Sequence, residues 1–500
     1  MTLSLTAPPA RDAAAFLQDN PGRIALIGYE APGKPRRAVT AGALFAAAAA
    51  RAADLAVRVP EGARIALAAG NTIAHVEAWL AIQLAGLVWV PINPANGTSA
   101  NSRALESAKP AVVLADPSGR DALRPLGVAA EPLERRPAAR REVCRWRCGD
   151  ETMAIKFTGG STGLPKGVVQ SCRSVMANRI NMDARFPLGP DDVVLASAPL
   201  THGSSHFILP ALAAGARLVL TGRLSAAQLA AVMEAESVTT GFMAPTAITR
   251  LADVVSARGP APGALVRLIY GAAPFPPAAL DRALAVLGPR IAGLYGQTEA
   301  PMTIATVSET ELAVPRLRAS VGRPAPLSEV VILDPGGREV PQGEEGEIAV
   351  SGPLLMQGYL DAPSKTAKAM PDGRLRTGDL GRLGTEGHLF VTGRMSDMII
   401  SGGFNIHPAE VENAMVALPG VAEACAVGLP DAEWGERLEA LLVAEAGEEP
   451  DPGRLCLALR ERIGPIKTPK RLVVVAELPR NSLGKLDRAA VRRLLEGHAR

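Results

Sequence analysis

Aromatic residues are scarce, at 3% of the chain, and cysteine numbers only five in 500 residues. An odd set of cysteines excludes a fully paired disulfide framework. No second Cys or His pair follows Cys144 and Cys148 at zinc-ligand spacing. All five are expected to be free thiols in a reducing compartment. Net charge is small too, at +3, so the broad basic footprint of a nucleic-acid binder is missing. The one basic cluster (Arg135, Arg136, Arg140, Arg141, Arg145 and Arg147) reads as a solvated linker. Long uncharged apolar runs are also lacking. Arg51 and Asp54 break the Ala-rich segment 43–57, and Glu77 sits within 75–92, so no integral membrane contact is expected. Residues 1–23 show no basic segment followed by an apolar run, so no signal peptide is expected and the protein reads as cytoplasmic.

What remains is an apolar and charged content typical of a folded globular enzyme. The length exceeds what one compact core needs, which points to at least two domains. Helical and strand patterns alternate for most of the chain, predicting an α/β class with mainly parallel, buried strands. Strands are predicted at 63–69, 88–91, 111–115, 153–157, 193–198, 217–220 and 265–270, with helices at 73–87 and 101–108. Asn71 or Thr72 would cap the first of these helices. After about Val321, strands at 329–333, 346–351 and 388–391 are divided by Gly/Pro/Asp turns, predicting a smaller β-rich subdomain. From Ser396 a compact α+β unit is expected, with Pro408 opening a helix over 409–418.

The segment Thr158-Gly159-Gly160-Ser161-Thr162-Gly163-Leu164-Pro165-Lys166-Gly167 follows the strand predicted at 153–157. Its glycines let backbone N–H groups approach phosphate oxygens. Thr158, Ser161 and Thr162 add hydroxyls, and Lys166 adds a mobile positive charge. A Walker A loop needs Gly before its Lys and Ser or Thr after it. Pro165 and Gly167 occupy those places, which excludes that class while leaving a polyphosphate as the ligand.

With its Pro-Lys-Gly ending, the string resembles the signature of the adenylate-forming superfamily, which includes acyl-CoA synthetases, peptide-synthetase adenylation domains and beetle luciferases. The resemblance runs along nearly the whole chain. Gly271-Ala272-Ala273-Pro274 resembles the adenine-side turn, and Tyr295-Gly296-Gln297-Thr298-Glu299 resembles the next motif. There Tyr295 would stack on adenine, Thr298 would touch the α-phosphate or acyl carboxylate, and Glu299 would hold Mg²⁺. Asp379 in Thr377-Gly378-Asp379 would accept the ribose hydroxyls, and Arg394 would add a ribose or phosphate contact. His202 would flank the acyl carboxylate as a positioning group. The stretch 394–408, with Ser401, Gly402 and Gly403, resembles the hinge and the glycine turn beside the pantetheine channel. Lys485 in Asn481-Ser482-Leu483-Gly484-Lys485 resembles the catalytic lysine, whose long-stemmed point charge meets negative charge building at the α-phosphate.

Two departures stand out. The common family form has Ser where this chain has Gly159, and Asp or Lys at the hinge where this chain has Ser396. The resemblance implies a large N-terminal domain (1–395) of two mainly parallel α/β sheets plus a small β-barrel-like subdomain. A small mobile α+β C-terminal domain (396–500) would carry Lys485. It further implies an AMP-forming carboxylate–CoA ligase using ATP, Mg²⁺ and CoA. Amino-acid-activating relatives put an Asp where this chain has His202, and no carrier-protein segment is seen after Lys485. A stand-alone ligase loading a separate carrier protein, and a catalytically silent nucleotide-binding relative, are the alternatives. The acyl pocket is expected to involve His202, Ser204, Ile208, Met243 and Met302. None is cationic, which favours an uncharged medium-chain fatty, alicyclic or aromatic tail. The expected partners are the acid and CoA, with no nucleic acid. A homodimer and an acetyltransferase acting on Lys485 complete the reading.

Overall fold

The computed structural model describes residues 3–29, 35–135, 143–158, 166–480 and 486–497. Two large sheets dominate it. The first has nine strands, of which Ile291–Tyr295, Arg267–Tyr270, Thr240–Met243, Val193–Ala196, Arg217–Thr221 and Ile24–Tyr29 lie side by side and parallel. Antiparallel strands close its edges. The second has seven strands, with a parallel set built from Glu131–Pro132, Val112–Ala115, Arg64–Ala68, Val88–Ile92 and Thr152–Thr158. Lys166–Ser171 and Gly358–Tyr359 add antiparallel strands beside Thr152–Thr158.

The layer between these sheets explains why some segments are apolar all round. Helix Ile73–Leu84 buries every residue except Ala74, as expected of a helix with core on all sides. It shares one apolar cluster with Ile65 and Leu67 of the second sheet and Val194 and Leu218 of the first. Thr72 caps it, its hydroxyl accepting from the His75 amide at 3.1 Å. Asn71 instead ties the sheets together: its amide donates to the Ala196 and Ala198 carbonyls and accepts from Leu200 N–H. Gly86, with φ +65°, turns the chain at once into Val88–Ile92, so the helix stops short of the predicted Leu87.

The region after Val321 forms an antiparallel sheet of Glu329–Leu333, Gly346–Ser351, Leu375–Leu383 and Leu389–Arg394. The expected barrel-like subdomain is thus an open four-stranded sheet, because its two edge strands do not pair among the described residues. The last sheet lies wholly within 399–474. It pairs Val421–Asp431 with Gly435–Ala444, flanked by Ile399–Ser401, Phe404–Ile406 and the parallel Arg471–Val474. Helix Pro408–Val416 packs on it, with proline in its first turn. All five cysteines are free thiols. Among the described residues, no helix is long and apolar enough to cross a membrane.

Candidate active site

Parallel strands put the ends of their backbones, and the loops that follow, on one side of a sheet. His202–Ser204, Gly271–Pro274 and Tyr295–Glu299 all lie just beyond the C-terminal ends of strands in the first sheet. The sequence motifs therefore converge because the strands are neighbours. Gly271 is required by packing: a Cβ there would come within 2.7 Å of Leu294 and 3.0 Å of Phe242. Ala272 follows at φ +69° and Met302 sits at φ +60°, a left-handed conformation that costs a non-glycine residue about 1 kcal/mol or more. Both strained residues border the site. Gly296 lets the loop double back, since a Cβ there would stand 2.6 Å from the Met302 backbone.

Asp379 is the most heavily engaged acid of the site. It is buried, and its Oδ2 accepts from Tyr295 Oη at 2.7 Å and Gln297 Nε2 at 2.8 Å. Its Oδ1 accepts from Arg394 Nε at 2.9 Å. These contacts offset the desolvation of a buried carboxylate. Burial, and then the nearby Asp379 charge, push the Tyr295 phenol well above its ordinary value. Tyr295 is therefore a neutral donor. Asp379 and Arg394 face each other as paired residues of adjacent strands, which gives the ion pair its geometry.

Glu299 has a different partner. Its Oε1 accepts from Tyr359 Oη at 2.9 Å, and Lys166 Nζ lies 5.1 Å from the Tyr359 ring centroid. Burial and the Glu299 charge raise the Tyr359 phenol, so it too donates. Sequence reasoning missed Tyr359. The available signal was rarity, since the chain has four tyrosines and two of them hold site carboxylates. The carbonyl of Thr298 accepts from Gln170 Nε2 at 2.9 Å, fastening this loop to the strand that Lys166 begins. Thr158 and Lys166 are cross-strand partners. The two described ends of the phosphate segment are thus set side by side, whereas Gly159, Gly160, Ser161, Thr162 and Gly163 lie outside the described residues.

Around the expected acyl pocket, a Cβ on Gly203 would meet the Phe242 ring at 2.6 Å and Met302 Sδ at 3.6 Å. Ser204 and Ile208 are buried, and the Ser204 hydroxyl has no hydrogen-bond partner among the described residues. His202 is part-buried, with Nδ1 2.8 Å from Thr201 Oγ1. Met243 does not join this group. It packs in the cluster on the other face of the sheet with Tyr270 and Phe275, while Phe242 packs on the side of Met302. Successive strand residues point to opposite faces, so the pocket-side residue here is Phe242.

Ser396 lies in a single turn, Met395–Asp397, with its hydroxyl 3.1 Å from Asp397 Oδ1. Ser401 pairs with Phe404 across a two-residue turn made by Gly402 and Gly403, at φ +58° and +81°. Two consecutive positive φ values explain the glycine pair, and the Trp434 ring leaves no room for a Cβ at Gly402. Lys485 lies outside the described residues. Among the described residues, no group of three or more Asp, Glu, His or Cys side chains is arranged to hold a metal ion by itself. The site fits Mg²⁺, which commonly takes one or two carboxylates and fills its sphere with substrate phosphate oxygens. Glu299, beside Lys166, supplies such a carboxylate.

Two carboxylates are each held by a tyrosine, Glu299 beyond a strand end and Asp379 within the strand Leu375–Leu383, and a small α+β unit follows. That combination defines an adenylate-forming enzyme. The AMP-binding enzyme family model matches residues 13–360, and the model for its C-terminal domain matches 410–485. Among curated relatives, the medium/long-chain-fatty-acid–CoA ligase FadD8 of Mycobacterium tuberculosis is 35% identical over 70% of this chain and 63% of its own length. Feruloyl-CoA synthase of an Amycolatopsis species is 34% identical over 87% of this chain and 89% of its own. Among solved structures, the amide bond synthetase McbA from Marinactinospora thermotolerans superposes with a TM-score of 0.87 at 29% identity, covering 98% of this chain and all of that one. The chain belongs to the AMP-binding enzyme family.

Proposed function

We propose that this chain is an ATP-dependent, AMP-forming carboxylate–CoA ligase of the cytoplasm. The observation that carries the reading is the pairing of Tyr295 with Asp379 and of Tyr359 with Glu299, with Lys166 over the second tyrosine. Asp379 as the ribose-side carboxylate and Glu299 as the phosphate-side one are the roles this reading gives the two acids. The CoA ligases among its relatives support the acceptor.

In the first half-reaction the acid's carboxylate oxygen attacks the α-phosphorus of ATP, and the bond to pyrophosphate breaks. Asp379 receives the ribose hydroxyls, Arg394 and Tyr295 frame the nucleoside, and Thr158 and Lys166 steady the phosphates with residues 159–163. Gly271–Pro274 line the adenine edge. Lys485 meets the charge building at the acyl and α-phosphate oxygens. Glu299 would hold Mg²⁺, which would supply charge neutralisation for the pyrophosphate leaving group. In the second half-reaction a domain spanning 396–500 turns about Ser396 against 1–395, withdrawing Lys485 and bringing Ser401–Gly403 to the thiol channel. The CoA thiolate then attacks the acyl carbonyl, AMP leaves, and His202 positions the acyl group. A homodimer, and silencing by acetylation of Lys485, belong to the same proposal.

The test is ATP–pyrophosphate exchange over a mixed acid panel, followed by thioester formation with CoA. Acid-dependent exchange and CoA-dependent AMP release are expected. No exchange with any acid would revive the silent-relative reading, and exchange without use of CoA would redirect the acceptor.

A further inference from the structure

A cavity of about 30 Å³ is lined among others by Trp89, Lys156, Gln170, Asn178 and His206. Three of its lining residues are hydrogen-bonded to the segments that carry the expected site residues. Ser205 and His206 continue the turn that carries His202 and Ser204, and the Ser205 hydroxyl donates to the His202 carbonyl at 2.6 Å. Asn178 Oδ1 accepts from Thr303 Oγ1 at 3.1 Å, next to Met302. Gln170 holds the Thr298 carbonyl.

The chemistry of this cavity is unusual for a core. Lys156 is 7% exposed, and its described hydrogen-bond partners are neutral: Ser205 Oγ at 3.1 Å and His206 Nε2 at 2.9 Å. Its ammonium also lies 5.3 Å from the Trp89 ring centroid. No carboxylate among the described residues pairs with it. A buried ammonium without a counter-charge is costly unless something with lone pairs faces it. Burial holds His206 neutral, so only one of its ring nitrogens accepts: Nε2 lies 2.9 Å from the Lys156 ammonium and Nδ1 3.3 Å from the Asn178 amide nitrogen, and the shorter contact favours Lys156.

Among the described residues, Arg179 Nε, also of the lining, makes no hydrogen bond and lies 3.5 Å from Asp183 Oδ2. Two further polar atoms have no partner among the described residues: the Trp89 indole N–H and Gln170 Oε1. Both residues are at least nine-tenths buried, at 3% and 1% exposure, and both line the cavity. The cavity therefore presents donors (indole N–H, ammonium and the Arg179 guanidinium) and one unpartnered acceptor (the Gln170 amide oxygen) to a space the size of one oxygen-centred group. A hydroxyl satisfies that set, with lone pairs toward Lys156 and Trp89 and its hydrogen toward Gln170. A methyl group would leave the indole N–H and Gln170 Oε1 unpaired.

We propose that this cavity is the far end of the acyl pocket and recognises a hydroxyl remote from the reacting carboxylate, so that the substrate class is a hydroxylated, aryl-type carboxylic acid. The inference rests on the acid-activating reading above. It replaces the expectation of a wholly apolar tail, which arose because Lys156 sits inside the apolar strand Met153–Phe157 and was not counted among the pocket residues.

The test compares matched acids that differ at one position, 4-hydroxycinnamate against 4-methylcinnamate and 4-hydroxybenzoate against 4-methylbenzoate. Wild type, K156M and W89F are each followed by ATP–pyrophosphate exchange. In wild type the hydroxyl member is expected to be favoured by tenfold or more in kcat/KM. In K156M that preference should fall at least tenfold while the methyl member holds within about threefold. W89F should show a smaller loss of the same preference, and it decides the matter if K156M does not fold. Equal use of both members by wild type, or a parallel fall for both in the variants, would overturn the subsite and leave the cavity a structural one. Absence of exchange with every acid would overturn the parent reading as well, which separates the two failures.

Discussion

Tyr359 donates its phenolic hydrogen to Glu299 Oε1 at 2.9 Å, and its ring lies under the Lys166 ammonium. The tyrosine comes from a two-residue strand, Gly358–Tyr359, paired to the strand that Lys166 begins. One side chain therefore sets the spacing between the acid and the base of the phosphate side. Tyr359→Phe keeps the ring and removes only the hydrogen bond. A hydrogen bond to a charged group contributes about 1.5–3 kcal/mol. We expect at least a tenfold loss in kcat/KM for MgATP, with a raised Mg²⁺ requirement and a near-normal KM for the acid. Initial rates of pyrophosphate exchange against Mg²⁺ concentration measure it. An unchanged Mg²⁺ dependence would remove Tyr359 from the site.

Asp379 offers a sharper contrast. Its two oxygens already serve Tyr295, Gln297 and Arg394, so a nucleotide's ribose has to share or displace those donors. Arg394, whose side chain is the exposed partner of the ion pair, is the one free to swing aside. Asp379→Asn retains the shape and loses the charge, leaving Arg394 without its described carboxylate partner. ATP binding should weaken by about tenfold or more, given the cost of breaking a charge-assisted pair. The acid's KM should change little. Isothermal titration with ATP reads the effect, and equal affinity in both proteins would contradict a ribose-side role.

Much of this was legible in the sequence, and the gaps have physical causes. The parallel strands, the helix over 73–84 and the proline-opened helix at 408 follow from apolar runs and turn residues that local chemistry dictates. The motifs that carry Glu299, Asp379 and Arg394 could be picked out because their residues are contiguous in the sequence, and the pairing of Asp379 with Arg394 follows from adjacent strands. Tyr359 was not, because a lone tyrosine beside glycine carries no pattern. Met243 packs on the face away from Met302, and a short, wholly buried strand does not display its phase in its sequence. Lys156 was overlooked for the opposite reason: a lysine in a strand usually belongs to a solvated face, and this one is enclosed. The barrel-like expectation came from the family pattern, and the edges of the four-stranded sheet are set by pairing that turn spacing does not specify.

Gly296 tests the tightness of the nucleotide loop. A methyl group there would sit 2.6 Å from the Met302 backbone, and a backbone cannot rotate away as a side chain can. Gly296→Ala should displace the Gln297–Pro301 turn, which is closed by the Gln297 N–H to Ala300 carbonyl bond of 3.0 Å. Overpacking of this kind typically costs about 1–3 kcal/mol. The expected result is a lower unfolding midpoint in urea together with loss of exchange activity. A fully active, equally stable variant would show that the loop has slack.

The two half-reactions should separate at Lys485. Lys485→Ala is expected to abolish pyrophosphate exchange, by about a thousandfold if its charge acts as a transition-state donor does. Thioester formation from a presynthesised acyl-adenylate and CoA should remain within a few fold of normal. Equal loss of both steps would contradict a role confined to adenylation.

Lys156 makes a prediction about stability alone. Burial pushes its ammonium from the ordinary 10.5 down to about 7 in the folded protein, whereas the unfolded chain keeps the higher value. Between those two values the unfolded state binds more protons at this residue than the folded state does. Stability therefore rises with pH across that interval, and this lysine adds no slope below about 7 or above about 10.5. His206, held neutral, acts only at the acid side: protonation of the unfolded chain below its ordinary 6.5 lowers stability there. Arg179, the other basic side chain lining the cavity, keeps its charge throughout. In K156M the rise between pH 7 and 10 should flatten while the acid-side fall remains. Urea unfolding midpoints of the two proteins at pH 6, 7, 8, 9 and 10 measure the difference. Parallel curves would mean that Lys156 is as well solvated when folded as when unfolded, which its enclosure by Trp89, Ser205 and His206 argues against.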